Sequence, residues 1–156
     1  MLSTFDDPSM AFRKRGAPFT FDVSRLIDKI RELKALPVTG NKAAETFIAA
    51  PSFDHAVQDP IAEDIQISSQ SRVVIIEGNY TLLDKAPWSK IASSVDERWF
   101  VDVSRDVAKE RLVARHLAAG IETSREAAMI RAEDNDIPNG DLIRAHLLEP
   151  DVRIIN

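Results

Sequence analysis

Apolar positions along the chain recur with two different periods. Val23, Leu26, Ile27, Ile30 and Leu33 follow Asp22 at three- and four-residue spacing, which predicts an amphipathic helix capped by that carboxylate and stopped by Pro37. Val73-Val-Ile-Ile76 is continuous and β-branched and runs into Glu77 and Gly78; it predicts a strand buried on both faces of a parallel sheet. Arg98-Trp-Phe-Val-Asp-Val103 predicts a second buried strand. Shorter signals give a strand at Thr46–Ala50, an extended piece at Ile65–Ile67 and an edge strand at Val152–Ile155. Ser104 caps a helix that Gly120 ends, with Asp106 in its first turn, where the helix dipole favours an acid. A capping box, Thr123-Ser-Arg-Glu126, opens another helix, to about Asn135. A polar turn at Asp134-Asn-Asp136 and Pro138-Asn-Gly140 then separates it from a last helix, Leu142–Leu148, before Pro150. Residues 1–20, punctuated by Pro8, Gly16 and Pro18, read as irregular. Helices alternating with buried-looking strands make the chain α/β.

That pattern locates candidate chemistry. Ligands of parallel sheets sit beyond the carboxyl ends of the strands, where Glu77, Gly78 and Asn79 fall. A carboxylate there can hold Mg²⁺ through water or orient a hydroxyl, or it can simply cap a turn. Arg13-Lys14-Arg15 before Gly16 is either a clamp for a phosphate or carboxylate or a solvated basic loop. Phe53-Asp54-His55 sets an aromatic ring, an acid and an imidazole together, facing a small polar ligand or satisfying one another. Arg111 and Arg115, four apart on one helix, share a face that can converge on an anion.

Composition narrows the classes. The net charge of −5 and only ten Phe, Trp and Tyr residues argue against a nucleic-acid partner. The absence of cysteine excludes a disulfide scaffold or thiolate zinc site and fits a cytoplasmic protein. No apolar stretch has transmembrane length, and none predicts a membrane partner. The 156 residues suit one domain.

The five glycines, at positions 16, 40, 78, 120 and 140, decide most. A Walker A loop places two glycines five apart with Lys-Ser or Lys-Thr after the second, and a dinucleotide fingerprint clusters three. Neither spacing occurs here.

The order of Arg15-Gly-Ala-Pro-Phe-Thr-Phe-Asp22, Ala50-Pro-Ser-Phe-Asp-His55 and Val74-Ile-Ile-Glu-Gly-Asn-Tyr80 nevertheless resembles the P-loop kinases of the pantothenate kinase, uridine kinase and phosphoribulokinase group. Trp99–Val103, Arg111–His116 and Glu133-Asp-Asn-Asp136 with Asn139-Gly140 extend the likeness over nearly the whole chain, closest to the small-molecule kinase-like members of bacteria and fungi. The resemblance implies ATP and Mg²⁺ as cofactors and a small-molecule hydroxyl as phosphate acceptor. It makes Glu77 a Walker B-like catalytic carboxylate acting through metal-bound water, with no direct metal ligand. Arg13, Lys14, Arg15, Phe53, Asp54, His55 and Asn79 border the acceptor, and Arg111 and Arg115 belong to a lid over the phosphates. It also implies one partial domain over residues 1–156, a P-loop NTPase-like parallel sheet with flanking helices, N-terminally incomplete, its central P-loop strand absent. The Walker A loop and the segment with the catalytic aspartate are missing. The expectation is a chain inactive alone, or a non-catalytic ligand- or protein-binding remnant, with an incompletely covered sheet.

Overall fold

A computed structural model describes residues 6–40, 42–54 and 59–156, with backbone alone for Pro8, Phe12, Arg13, Asp54 and Asp59. Two units emerge, one holding Asp22–Glu77 and the other the residues up to Phe21 together with Gly78–Asn156.

In the first unit α2, Val23–Ala35, starts where the sequence places it, the Asp22 carboxylate accepting the Arg25 amide at 3.0 Å. Val23, Ile27 and Ile30 are its buried stripe. Strands β1, Phe47–Asp54, and β2, Asp59–Ser68, form an antiparallel pair, both longer than the sequence pattern suggests. Pro51, which has no amide hydrogen for the ladder, sits where the register slips between Ala50↔Ile65 and Ser52↔Ile61. The three residues of β2 opposite it bulge out, with Glu63 at φ 57°. Buried Ser69 closes the base of the pair: its hydroxyl meets the Thr39 hydroxyl at 2.7 Å and accepts the Thr46 amide at 3.1 Å.

The largest correction falls on residues 73–77. They are not a buried strand: they join no ladder, and Val73 and Ile75 are 77% and 87% exposed. A buried strand needs neighbours for its backbone and covers for its faces, and no described strand pairs with these residues.

The second unit begins with α1, Pro8–Arg13, so the first twenty residues are not wholly irregular. A short α3, Ser89–Ala92, precedes β3, Trp99–Asp102. Then come α4, Arg105–Ala118, and α5, Arg125–Arg131, capped by Ser104 and Ser124. A π-helical turn, Ala132–Asp136, leads directly into α6, Ile137–Ala145. The polar turn expected at 134–140 is therefore helical. Pro138 fits because an early helical position needs no amide hydrogen. Val113, Ala128 and Ala132 form the core of this helical layer, with Leu112 and Met129 packed against it.

Strand β4, Val152–Ile155, returns parallel to β3, Trp99 opposite Val152 and Val101 opposite Ile154. Asp151 clips the entrance to this pair. Its carboxylate takes the Arg98 guanidinium and the Arg98 amide, each at 2.9 Å, and the Arg98 guanidinium holds its pKa down at about 2. The expectation of two-sided burial fails here as well. Trp99, Val101 and Ile154 share one face and are 57%, 54% and 39% exposed. One face of this two-stranded pair is therefore open.

Candidate functional site

The polar centre of the second unit is built on the basic loop. Gly16 adopts φ 95°, a left-handed conformation that glycine reaches without strain. Three long-range hydrogen bonds fix the loop. The Tyr80 hydroxyl donates to the Gly16 carbonyl at 2.6 Å, the Asn135 amide group to the Arg15 carbonyl at 3.3 Å, and the Lys14 ammonium to the Asp134 carbonyl at 2.9 Å. The last contact has a local cause. Pro138 cannot supply the backbone donor that an α-helix would direct back to the Asp134 carbonyl, so that oxygen is open to the lysine. Beside them Met10, Lys14, Arg131, Asp134 and Asn135 line an open cleft of about 380 Å³.

The same unit holds further buried polar groups. His116 is buried, its Nε2 2.7 Å from the Asp136 carboxylate and its Nδ1 without a hydrogen-bond partner. Tyr80 is 1% exposed and packs against Trp88, ring centres 5.1 Å apart, and edge-on against Phe21 at 5.7 Å. Burial, and secondarily the charge of Asp136, pushes its phenol from about 10 to about 12. The sign follows from linkage: stability from the buried neutral phenol is intact below pH 10 and is lost as pH rises towards 12, because the unfolded state ionises first. Tyr80 is the chain's one tyrosine. The phenolate absorbance of the native protein should therefore rise as a single step near pH 12, or at alkaline unfolding, and near 10 in urea. A native midpoint at 10 would contradict the buried geometry.

The candidates read from the sequence are spread over both units. Lys14 and Arg15 lie in the anchored loop; the side chain of Arg13 lies outside the described residues. Phe53, 46% exposed, is the last residue but one of β1 in the first unit, whereas the side chain of Asp54 and all of His55 lie outside the described residues. Glu77 is exposed at the end of the first unit, and Asn79 is exposed in the second. Arg111 and Arg115 are both exposed on α4, and Arg111 donates to the Asn156 side chain at 3.4 Å. Tyr80, His116, Asn135 and Asp136 carry much of the organisation yet receive no role from the sequence. The available signal was polar residues inside a helical pattern, Asn135 and Asp136 next to a proline that the helix tolerates.

A Cβ added at Gly16, Gly40, Gly120 or Gly140 would meet nothing within 4 Å, and one at Gly78 only the Thr81 methyl at 3.4 Å. Among the described residues no group of three or more His, Asp or Glu side chains can hold a metal ion. No described helix is long and apolar enough to cross a membrane.

No protein-family model matches the chain. It is 43% identical over 143 residues to the ATP-dependent kinase-like protein notR' of Aspergillus versicolor, covering 90% of this chain and 79% of that one. It is 36% identical over 151 residues to a Schizosaccharomyces pombe protein provisionally named a uridine kinase, covering 97% and 61%. The crystal structure of YFH7 from Saccharomyces cerevisiae, provisionally described as a P-loop containing kinase with a circular permutation, superposes with a TM-score of 0.84 at 30% identity. That superposition takes in 99% of this chain and 54% of YFH7.

Proposed function

Since this chain belongs to the P-loop kinase family, with ATP-dependent kinase-like and uridine kinase-like relatives, we propose that it is the acceptor- and lid-bearing part of a small-molecule kinase fold and does not turn over ATP as these 156 residues alone. One observation supports the reading: the basic loop is anchored by three long-range hydrogen bonds, while no two glycines of the sequence have Walker A spacing. In this reading Arg13, Lys14, Arg15 and Asn79 of the second unit, and separately Phe53, Asp54 and His55 of the first, are the candidates for contacts to a small metabolite whose hydroxyl is the phosphate acceptor. Arg111 and Arg115 neutralise phosphate charge from the lid helix, and Glu77 orients water around Mg²⁺. Phosphoryl transfer is mainly positioning and charge neutralisation, which suits these side-chain types. ATP and Mg²⁺ are the cofactors of the complete fold, and a cytoplasmic location belongs with that use of ATP.

A second reading is a non-catalytic ligand- or protein-binding module, favoured by the uncovered Trp99, Val101 and Ile154. Calorimetric titration of the purified chain with ATP and Mg²⁺ tests the first reading. A flat trace into the millimolar range is expected, and saturable heat at micromolar ATP would overturn that reading.

A further inference from the structure

We propose that two copies of this chain associate by exchanging strands, residues 73–77 of each pairing with the free edge of β3 in the other. The proposal stands on the fold alone. It gives the open sheet face a partner and holds whether or not the chain turns over ATP.

The chain carries two complementary unmet needs. Val73-Val-Ile-Ile76 has strand composition, joins no ladder, and leaves Val73, Val74 and Ile75 exposed at 77%, 46% and 87%. Strand β3 has β4 on one side and no described strand on the other. Its Trp99-Phe-Val101 run is uncharged, whereas β4 carries Arg153, the kind of residue that blunts an edge. The two match in length, four residues each. An apolar extended segment and a bare ladder edge are what strand addition joins.

Charge selects the partner and the direction. Arg72 precedes the segment and Glu77 follows it, a cation at its start and an anion at its end. At the start of β3, Arg98 is held by Asp151 at 2.9 Å, and the charge of Glu149 also reaches it. Glu97 beside it accepts the neutral Trp99 indole at 2.7 Å, so acids outnumber cations there. At the end of β3, Arg144 and Arg153 share the single carboxylate of Asp102, two cations on one anion. Arg72 meets the acidic end and Glu77 the basic end only if the incoming strand runs parallel to β3. Val73 then lies opposite Trp99 and Ile75 opposite Val101, four apolar side chains on one face. Both halves of the match belong to one sequence, so a second copy supplies them. Reciprocal exchange closes the assembly at two chains, where a one-way contact would run on into a filament.

The test is sedimentation equilibrium of the purified chain over a wide concentration range. A reversible monomer–dimer equilibrium in the micromolar range is expected. Ile75→Lys changes a residue 87% exposed, so the monomer loses no burial, and Val101→Lys changes the receiving strand. Each alone should weaken the dimer by about tenfold or more. Mixed together they should form a heterodimer tighter than either homodimer, because one variant keeps β3 intact and the other keeps the donated segment. If Val101→Lys proves unfolded by its own spectrum, Val101→Thr takes its place with a smaller expected loss.

The chain has no cysteine, so introduced thiols report the register. Opposed residues of neighbouring strands lie within disulfide reach. An equal mixture of Ile75→Cys and Val101→Cys chains, oxidised with diamide, should yield the mixed disulfide. Ile75→Cys with Ile121→Cys, at an exposed position outside β3, should not. A monomer at every concentration, growth past the dimer without a plateau, or a dimer untouched by both lysine variants would each overturn the exchange. So would a mixed disulfide no more abundant than in the control. An intramolecular disulfide in the doubly substituted chain at high dilution would also overturn it, because the segment would then lie on its own β3. No nucleotide is present in these measurements, so their outcome is independent of the ATP titration.

Discussion

Incubated with ATP, Mg²⁺ and a panel of small hydroxylated metabolites, the 156-residue polypeptide is expected to release or transfer no phosphate above the uncatalysed background. Removal of one preorganised donor from an oxyanion site lowers the rate by about a hundred- to a thousandfold. A Walker A loop supplies several such amides together with a lysine, and no segment of this sequence has the spacing to replace them. The remaining cations do not compensate. Arg111 and Arg115 stand exposed on α4, and Lys14 is committed in part to the Asp134 carbonyl. Labelled-phosphate transfer measured on wild type and on Glu77→Gln decides the matter. Turnover that disappears in Glu77→Gln would show a working catalytic centre and refute the inactive reading. Turnover unchanged by that substitution points to a contaminating enzyme and leaves the reading in place.

Tyr80→Ala is expected to destabilise the second unit by about 3–5 kcal/mol, the range for removing a large buried aromatic side chain. The ring is 1% exposed and fills the space between Phe21 and Trp88. Its hydroxyl also fixes the Gly16 carbonyl. Tyr80→Phe keeps the ring and should lose only about 1 kcal/mol, the net worth of one hydrogen bond. Urea melts of both variants separate the contributions. If the two variants lose equal stability, the hydroxyl and not the packed ring holds Tyr80 in place.

Local signals in the sequence translate well into structure. Asp22, Ser104, Pro37 and the apolar stripe of α2 act through neighbours a turn away, and their helices begin or end where expected. The capping box lands one residue late: Ser124, not Thr123, accepts the helical amide. What fails is whatever depends on a distant partner. Val73–Ile76 has the composition of a buried strand, yet burial is a property of what pairs with it, and no described strand does. Pro138 and Gly140 look like a break, but a proline early in a helix continues one. The basic loop was visible as charge. Its anchoring by residues 64 and 120 positions away was not, because nothing in a local window links Gly16 to Tyr80 or Arg15 to Asn135. The family likeness drew on the order of several short blocks, and it is the part of the reading that the relatives bear out.

The exposure of the β3 face gives the molecule a built-in optical contrast. Its two tryptophans occupy opposite surroundings, Trp88 enclosed at 6% exposure among aromatic rings and Trp99 open at 57% on the strand. Emission accessible to an aqueous quencher therefore belongs to Trp99 and protected emission to Trp88. Anything that comes to lie over the sheet shields Trp99 from the quencher, whereas unfolding of the core exposes Trp88 to it, so a quenching titration distinguishes the two events.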